Sequence, residues 1–199
     1  MDRIVNSRAS ADAPLRTAVI VGSTREGRGG AAIAQWFAEC SRQEAALELD
    51  VIDLAEFSFP QRYPRRATPA MLDFSKRVDR ADAFVVVTPE YNHGYPASLK
   101  QAIDYCCDEW FAKPVGFVAY GTAAQGLRAV EQLRQVFNAL HTVTIADVVS
   151  FNRFDGSLGD DGRPRDTEAA GIAVRRMLAQ LTWWARALRA ARAELPFAA

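Results

Sequence analysis

The chain has 199 residues, 49% of them hydrophobic, which suits one domain with a real core. Lys+Arg and Asp+Glu both number 24, so the formal net charge is zero, and a general nucleic-acid binder, whose affinity rests on basic excess, is excluded. No apolar run approaches a membrane span, and the start, Met1-Asp2-Arg3-Ile4-Val5-Asn6-Ser7-Arg8, lacks a signal peptide's apolar core, so a cytoplasmic protein with no membrane partner is expected.

In chain order, residues 1–15 read as a polar, flexible arm and 16–199 as a single domain. A first strand over 17–22 runs into Gly22-Ser23-Thr24-Arg25-Glu26-Gly27-Arg28-Gly29-Gly30. This loop fails as a dinucleotide fingerprint, because Thr24 stands where the second glycine belongs. It fails as a P-loop too, because Arg28 and Gly29 replace Lys and Ser/Thr. What remains suits a monophosphate held without metal. Ser23 and Thr24 offer hydroxyls, Arg25 and Arg28 offer charged forks, and the amides around Gly29 and Gly30 open a helix.

That helix is expected over 31–43, with Ile33, Trp36, Phe37 and Cys40 on one face. A second strand follows over 47–53 and a proline-rich loop over 57–70. In that loop Arg62, Arg65 and Arg66 read as a solvated segment, the competing reading being contact with nicotinamide-nucleotide phosphates. A second helix over 70–80 precedes a third strand over 83–88, Ala83-Phe84-Val85-Val86-Val87-Thr88. The strand empties into Pro89-Glu90-Tyr91-Asn92-His93-Gly94-Tyr95-Pro96. Prolines stiffen this loop, and its backbone groups and flat side chains suit a planar heterocycle beyond a strand's carboxyl end.

A third helix is expected over 97–109, carrying adjacent Cys106 and Cys107 as core or semi-buried thiols. With Cys40 they form neither a paired framework nor Cys-x-x-Cys. A fourth strand over 115–120 ends at Tyr120-Gly121, and a fourth helix spans 126–140 with Val130, Leu133, Phe137 and Leu140 as its stripe. His141 at its end reads as structural. A fifth strand over 142–150 and a loop over 152–166 lead to a last helix over 167–193, with Val174, Met177, Leu178, Leu181, Trp184 and Leu188 facing inward. Strands alternating with helices imply a parallel α/β sheet. No residue cluster suggests a metal site, and no motif suggests a hydrolase.

Gly-Ser-x-Arg after the first strand, Pro-Glu-Tyr-Asn after the third, and Leu99-Lys100-Gln101-Ala102-Ile103-Asp104 beyond it resemble the NAD(P)H-dependent FMN reductase family over roughly residues 17–150. The resemblance implies a flavodoxin-like three-layer sandwich with strand order 2-1-3-4-5. It implies FMN as cofactor, its phosphate on the first loop and its isoalloxazine on Pro89, Glu90, Tyr91, Asn92, His93 and Gly94. Tyr120 and Gly121 should also touch the flavin. NADPH or NADH would be co-substrate, and the acceptor a small molecule: free flavin, a quinone, an azo compound or an oxyanion.

No side chain need be catalytic, since the flavin supplies the chemistry; His93 is expected to face solvent or a neighbouring subunit. The alternatives are a flavodoxin-like electron carrier, which the neutral charge disfavours, and a non-catalytic flavin-binding module. A homodimer or homotetramer is expected. The third and fourth helices read as carrying surplus apolar surface, with Leu99, Ile103, Cys106 and Trp110 sharing one face and Tyr105 and Val136 off the inner stripes, and the resemblance implies a symmetric contact there.

Overall fold

The computed structural model describes residues 13–42 and 46–198. The expected arm lies almost wholly outside the described residues, and its last residue, Leu15, already opens the first strand. The elements are β1 (Leu15–Val21), α1 (Gly30–Ser41), β2 (Leu47–Asp53), α2 (Pro69–Arg80), β3 (Ala83–Pro89), α3 (Ala97–Asp104), β4 (Pro114–Gly121), α4 (Leu127–Ala139), β5 (Val143–Asn152) and α5 (Thr167–Glu194).

The sheet is parallel in every pairing, with order β2-β1-β3-β4-β5. β3 and β4 are buried along their whole length, as their unbroken apolar runs require when helices cover both faces. Alternation divides each strand between two cores. Val85 and Val87 pack with Ile33 and Phe37 of α1 and Val174 and Leu181 of α5. Phe84 and Val86 pack with Phe74 of α2, Leu99 of α3 and Phe137 of α4. This is the three-layer flavodoxin-like sandwich, and its topology puts every strand's carboxyl end, with the loop that follows, on one edge.

Two helices differ from expectation. α3 stops at Asp104 because the chain turns so that Trp110 can fill the core. The Trp110 indole donates to the Ile103 carbonyl at 3.2 Å, and its ring lies 4.6 Å from Phe84. Cys106 and Cys107 therefore lie in this turn and not in a helix; Cys106 is buried and Cys107 exposed. Burial pushes the Cys106 thiol up to about 12, which makes it inert. Leu99, Ile103, Cys106 and Trp110 are all inside the core of one chain, so they offer no surplus face to a second subunit; Val136 is partly buried against the same core, and Tyr105, half-buried, donates its hydroxyl to the Pro60 carbonyl at 2.9 Å.

On α5, Ala185 takes the inward place expected of Trp184, which is exposed. Eleven residues make about three turns at roughly 3.6 per turn, so position 185, not 184, stays in phase with Val174. Among the described residues no helix is long and apolar enough to cross a membrane.

Candidate active site

Three loops meet at the carboxyl edge. The first begins at Gly22, whose amide donates to the Val87 carbonyl at 2.9 Å, tying β1's exit to β3. Ser23 is fully buried, while Thr24 and Arg25 are exposed. The loop turns through Gly27, whose φ of +65° lies in the left-handed region that glycine enters without strain.

α1 then starts with Gly29 at its N-cap, so no side chain satisfies the first-turn amides. The N–H groups of Gly30, Ala31 and Ala32 take no hydrogen bond among the described residues. No atom lies within 4 Å of where a Gly29 side chain would begin. An uncapped first turn concentrates unpartnered donors and the positive end of the helix dipole, which is a cradle for an anion. α2 and α5 are capped by Thr68 and Asp166, while α3 and α4, like α1, have no side chain at the N-cap that accepts from the first turn.

The second loop is a tight turn. Tyr91 and Gly94 exchange backbone hydrogen bonds of 2.8 and 3.0 Å, and the residues between them, Asn92 and His93, have φ of 49° and 66°. Positive φ at both central positions is the primed-turn geometry. It leaves the Asn92 and His93 amides without a partner among the described residues. Gln132 of α4 clamps the turn by donating to the His93 carbonyl at 2.9 Å.

Tyr91 does not stand as an isolated platform. Its hydroxyl bonds to Ser23 Oγ at 2.7 Å, and the Arg25 guanidinium lies 4.1 Å over its ring. Ser98 adds a second tie, donating to the Gly22 carbonyl at 3.0 Å. The phosphate-type loop and the planar-ligand loop are therefore one connected unit.

Several expected residues have other duties. Glu90 pairs with Arg128 at 2.8 Å and accepts from its amide at 3.2 Å, so it caps α4 from outside. Arg28 is paired with Asp53 at the end of β2, which leaves Arg25 as the first loop's less committed cation. The space beside Gly121 is taken by protein: a side chain there would begin 2.8 Å from the Gly126 amide and 3.3 Å from Glu90 Cβ. Pro89 is buried at the end of β3, where the following amide, that of Glu90, donates to the Tyr120 carbonyl at 2.9 Å.

Tyr120 points elsewhere than expected. It joins the α1–α5 core, and its hydroxyl lies 2.7 Å from where a Gly30 side chain would begin. That hydroxyl is buried without a hydrogen bond. Burial first, then nearby Tyr91, push it well above the usual phenol range, against Arg153, Ser23 and Arg28. It is therefore a neutral hydroxyl. Ser98, Arg128, Gln132 and Arg153 went unpredicted. Their link to the site is tertiary, and no local motif carries it.

The donor set fits a phosphorylated planar cofactor: a buried unpartnered hydroxyl and an open first turn at one end, a turn with free amides at the other. A cavity of about 710 Å3 lies away from this site, at the amino edge among Arg16, Asp82, Lys113 and Arg192.

Comparison with known proteins agrees with this geometry. A family described as NADPH-dependent FMN reductase matches residues 15–156. An NAD(P)H-dependent FMN reductase of Nectria sp. is 30% identical over 179 residues, covering 77% of this chain and 88% of that one. An NAD(P)H-dependent FMN reductase of Schizosaccharomyces pombe is 34% identical over 130 residues, 59% of this chain, and the chain spans 63% of that relative's length. In structure, a flavoenzyme NAD(P)H:(acceptor) oxidoreductase from Paracoccus denitrificans superposes with a TM-score of 0.68 over 85% of this chain and 97% of its own, at 22% identity, a likeness of fold. With most of its length matched by the family and its two signature loops joined at one edge, the chain belongs to the NADPH-dependent FMN reductases.

Proposed function

We propose that this chain is an FMN-dependent NAD(P)H oxidoreductase that passes hydride from a nicotinamide nucleotide through FMN to a small acceptor such as free flavin, a quinone, an azo compound or an oxyanion. The observation that carries the reading is the Ser23–Tyr91 hydrogen bond of 2.7 Å, which joins an open helix N-terminus to a turn with unpartnered amides. Ser23, Thr24, Arg25 and the amides of Gly30 to Ala32 hold the phosphate. The amides of Asn92 and His93 donate to the polar edge of the ring. FMN, when bound, supplies the hydride acceptance and donation.

The chain's own part is to orient the flavin and to favour negative charge at that edge. No side chain is assigned as acid or base. Residues 16–199 form one FMN-binding domain in this reading. Self-association as a homodimer or homotetramer, which the family resemblance implies, is checked by sedimentation at micromolar concentration; a species of one-chain mass rejects it.

Purified chain loaded with FMN and mixed anaerobically with NADPH or NADH should lose its flavin colour within seconds. A flavin left oxidised by both donors but reduced by a protein partner would make the chain an electron carrier. A chain that takes up no FMN would overturn the cofactor assignment itself.

A further inference from the structure

Tyr120 is a buried tyrosine beneath the first turn of α1, and its hydroxyl makes no hydrogen bond of normal distance and angle, although Ser23 is a polar neighbour that acts on it. A buried hydroxyl without a hydrogen bond costs folding free energy, so native chains rarely keep one. Phenylalanine has the same shape without the cost. The surroundings select for a donor: Gly30 has no side chain, and any other residue there would begin 2.7 Å from the Tyr120 oxygen. The hydroxyl therefore lies against the backbone of the turn whose amides are unpartnered. Arg28 and Arg153 act on it electrostatically, but burial and Tyr91 outweigh them, so the hydroxyl stays protonated and can donate. Tyr91 has committed its own hydroxyl to Ser23. Among the described residues, the Tyr120 hydroxyl and Arg28 Nε are the buried side-chain donors of this cluster that have no partner.

We propose that the Tyr120 hydroxyl completes the phosphate cradle at the start of α1 and makes the site discriminate FMN from riboflavin. This rests on the FMN assignment above. Tyr120 lies on the strand that ends under the flavin, yet its contribution goes to the phosphate end and not to the ring. It is a specificity residue, and it has no part in electron transfer.

The test is binding of FMN and of riboflavin, each by fluorescence titration, to the full chain and to Tyr120→Phe, with thermal unfolding of both flavin-free proteins. Tyr120→Phe should weaken FMN about tenfold or more, the loss of one hydrogen bond to a charged group. Riboflavin affinity should change less than about twofold, since it carries no phosphate. The flavin-free variant should melt at the same temperature or higher, because an unsatisfied polar atom has been removed. Opposite signs for stability and FMN affinity are an outcome a packing role does not produce.

Equal weakening of FMN and riboflavin, or a lower melting temperature, would overturn the proposal. Inorganic phosphate gives a second readout: it should compete with FMN for the parent at lower concentration than for the variant. If the parent binds neither flavin, the cofactor assignment falls. If the parent binds FMN and the variant keeps the same FMN-to-riboflavin ratio, only this inference falls.

Discussion

The two edges of the sheet use polar groups in opposite ways. At the amino edge, charges are closed on one another. Buried Asp82 accepts from the Arg16 amide at 3.0 Å and faces Arg189 at 3.5 Å and Arg192 at 3.7 Å. Lys113, also buried, donates to the last carbonyls of α2, those of Val78 and Asp79, at 3.1 and 2.8 Å. At the carboxyl edge, α1 is uncapped, the Asn92–His93 turn shows free amides, and Tyr120 has an idle hydroxyl. The amino edge holds a cavity of about 710 Å3, and the carboxyl edge holds the unmet donors. Unpaired donors, held in place by a rigid scaffold, mark a binding site better than volume does.

This contrast can be broken most sharply at Asp82. Asp82→Ala would leave Arg189 and Arg192 facing a neutral site and is expected to cost about 3 kcal/mol of stability, the scale of removing one partner from a buried ion cluster. Urea unfolding reads this directly, and FMN affinity of the folded fraction should not move. Arg25→Ala is the mirror image. Arg25 is exposed, so stability should fall by about 1 kcal/mol or less from the lost contact with Tyr91. FMN binding should weaken by about 2 kcal/mol, the worth of a charge-assisted hydrogen bond. If Arg25→Ala binds FMN as the parent does, the first loop is not the phosphate site.

The amino edge should also show itself through pH. Burial pushes the Lys113 amine down from 10.5 to about 8. Between those values the unfolded chain binds a proton that the folded chain does not, so stability rises with pH across the window. Below about 8 both states are charged and the contribution is lost. The slope from this one group can reach about 1.4 kcal/mol per pH unit. Cys106, raised to about 12, acts in the opposite direction above pH 9. The useful quantity is therefore the difference between parent and Lys113→Met, in which the thiol cancels. A difference that stays flat from pH 8 to 10 would show that Lys113 keeps its charge there through its two carbonyl bonds.

How much of this was legible beforehand follows from the range of each interaction. The strand cores of β3 and β4 are written in local runs of apolar residues, and both signature loops directly follow such runs. The end of α3 was not legible, because it depends on Trp110 reaching back to a pocket built by Phe84 and Phe137. The same event absorbed the apolar face that had suggested a partner. The Ser23–Tyr91 bond spans 68 positions, and no spacing rule announces it. Tyr120 did leave a signal. Strand alternation puts it on the same face as Val118, the α1–α5 side. A reading by alternation would have sent it to the core beneath α1.

The smallest expected effect separates backbone from side chain in the second loop. His93 is an exposed histidine beside the proposed flavin position, the arrangement in which a proton-transfer role would ordinarily be suspected. Its φ of 66° makes a different statement. A non-glycine residue held there costs about 1–2 kcal/mol, and what that conformation provides is an outward amide. His93→Gly keeps the amide, relieves the strain, and adds back chain entropy of roughly 0.5–1 kcal/mol in the unfolded state. These terms nearly cancel, so stability should stay within about 0.5 kcal/mol of the parent. Flavin affinity and the rate of reduction by NADPH should stay within about twofold, because the donor to the ring is intact. If reduction instead slows by more than about tenfold, with flavin affinity unchanged, the imidazole is doing chemistry and the assignment of this turn as a backbone donor is wrong.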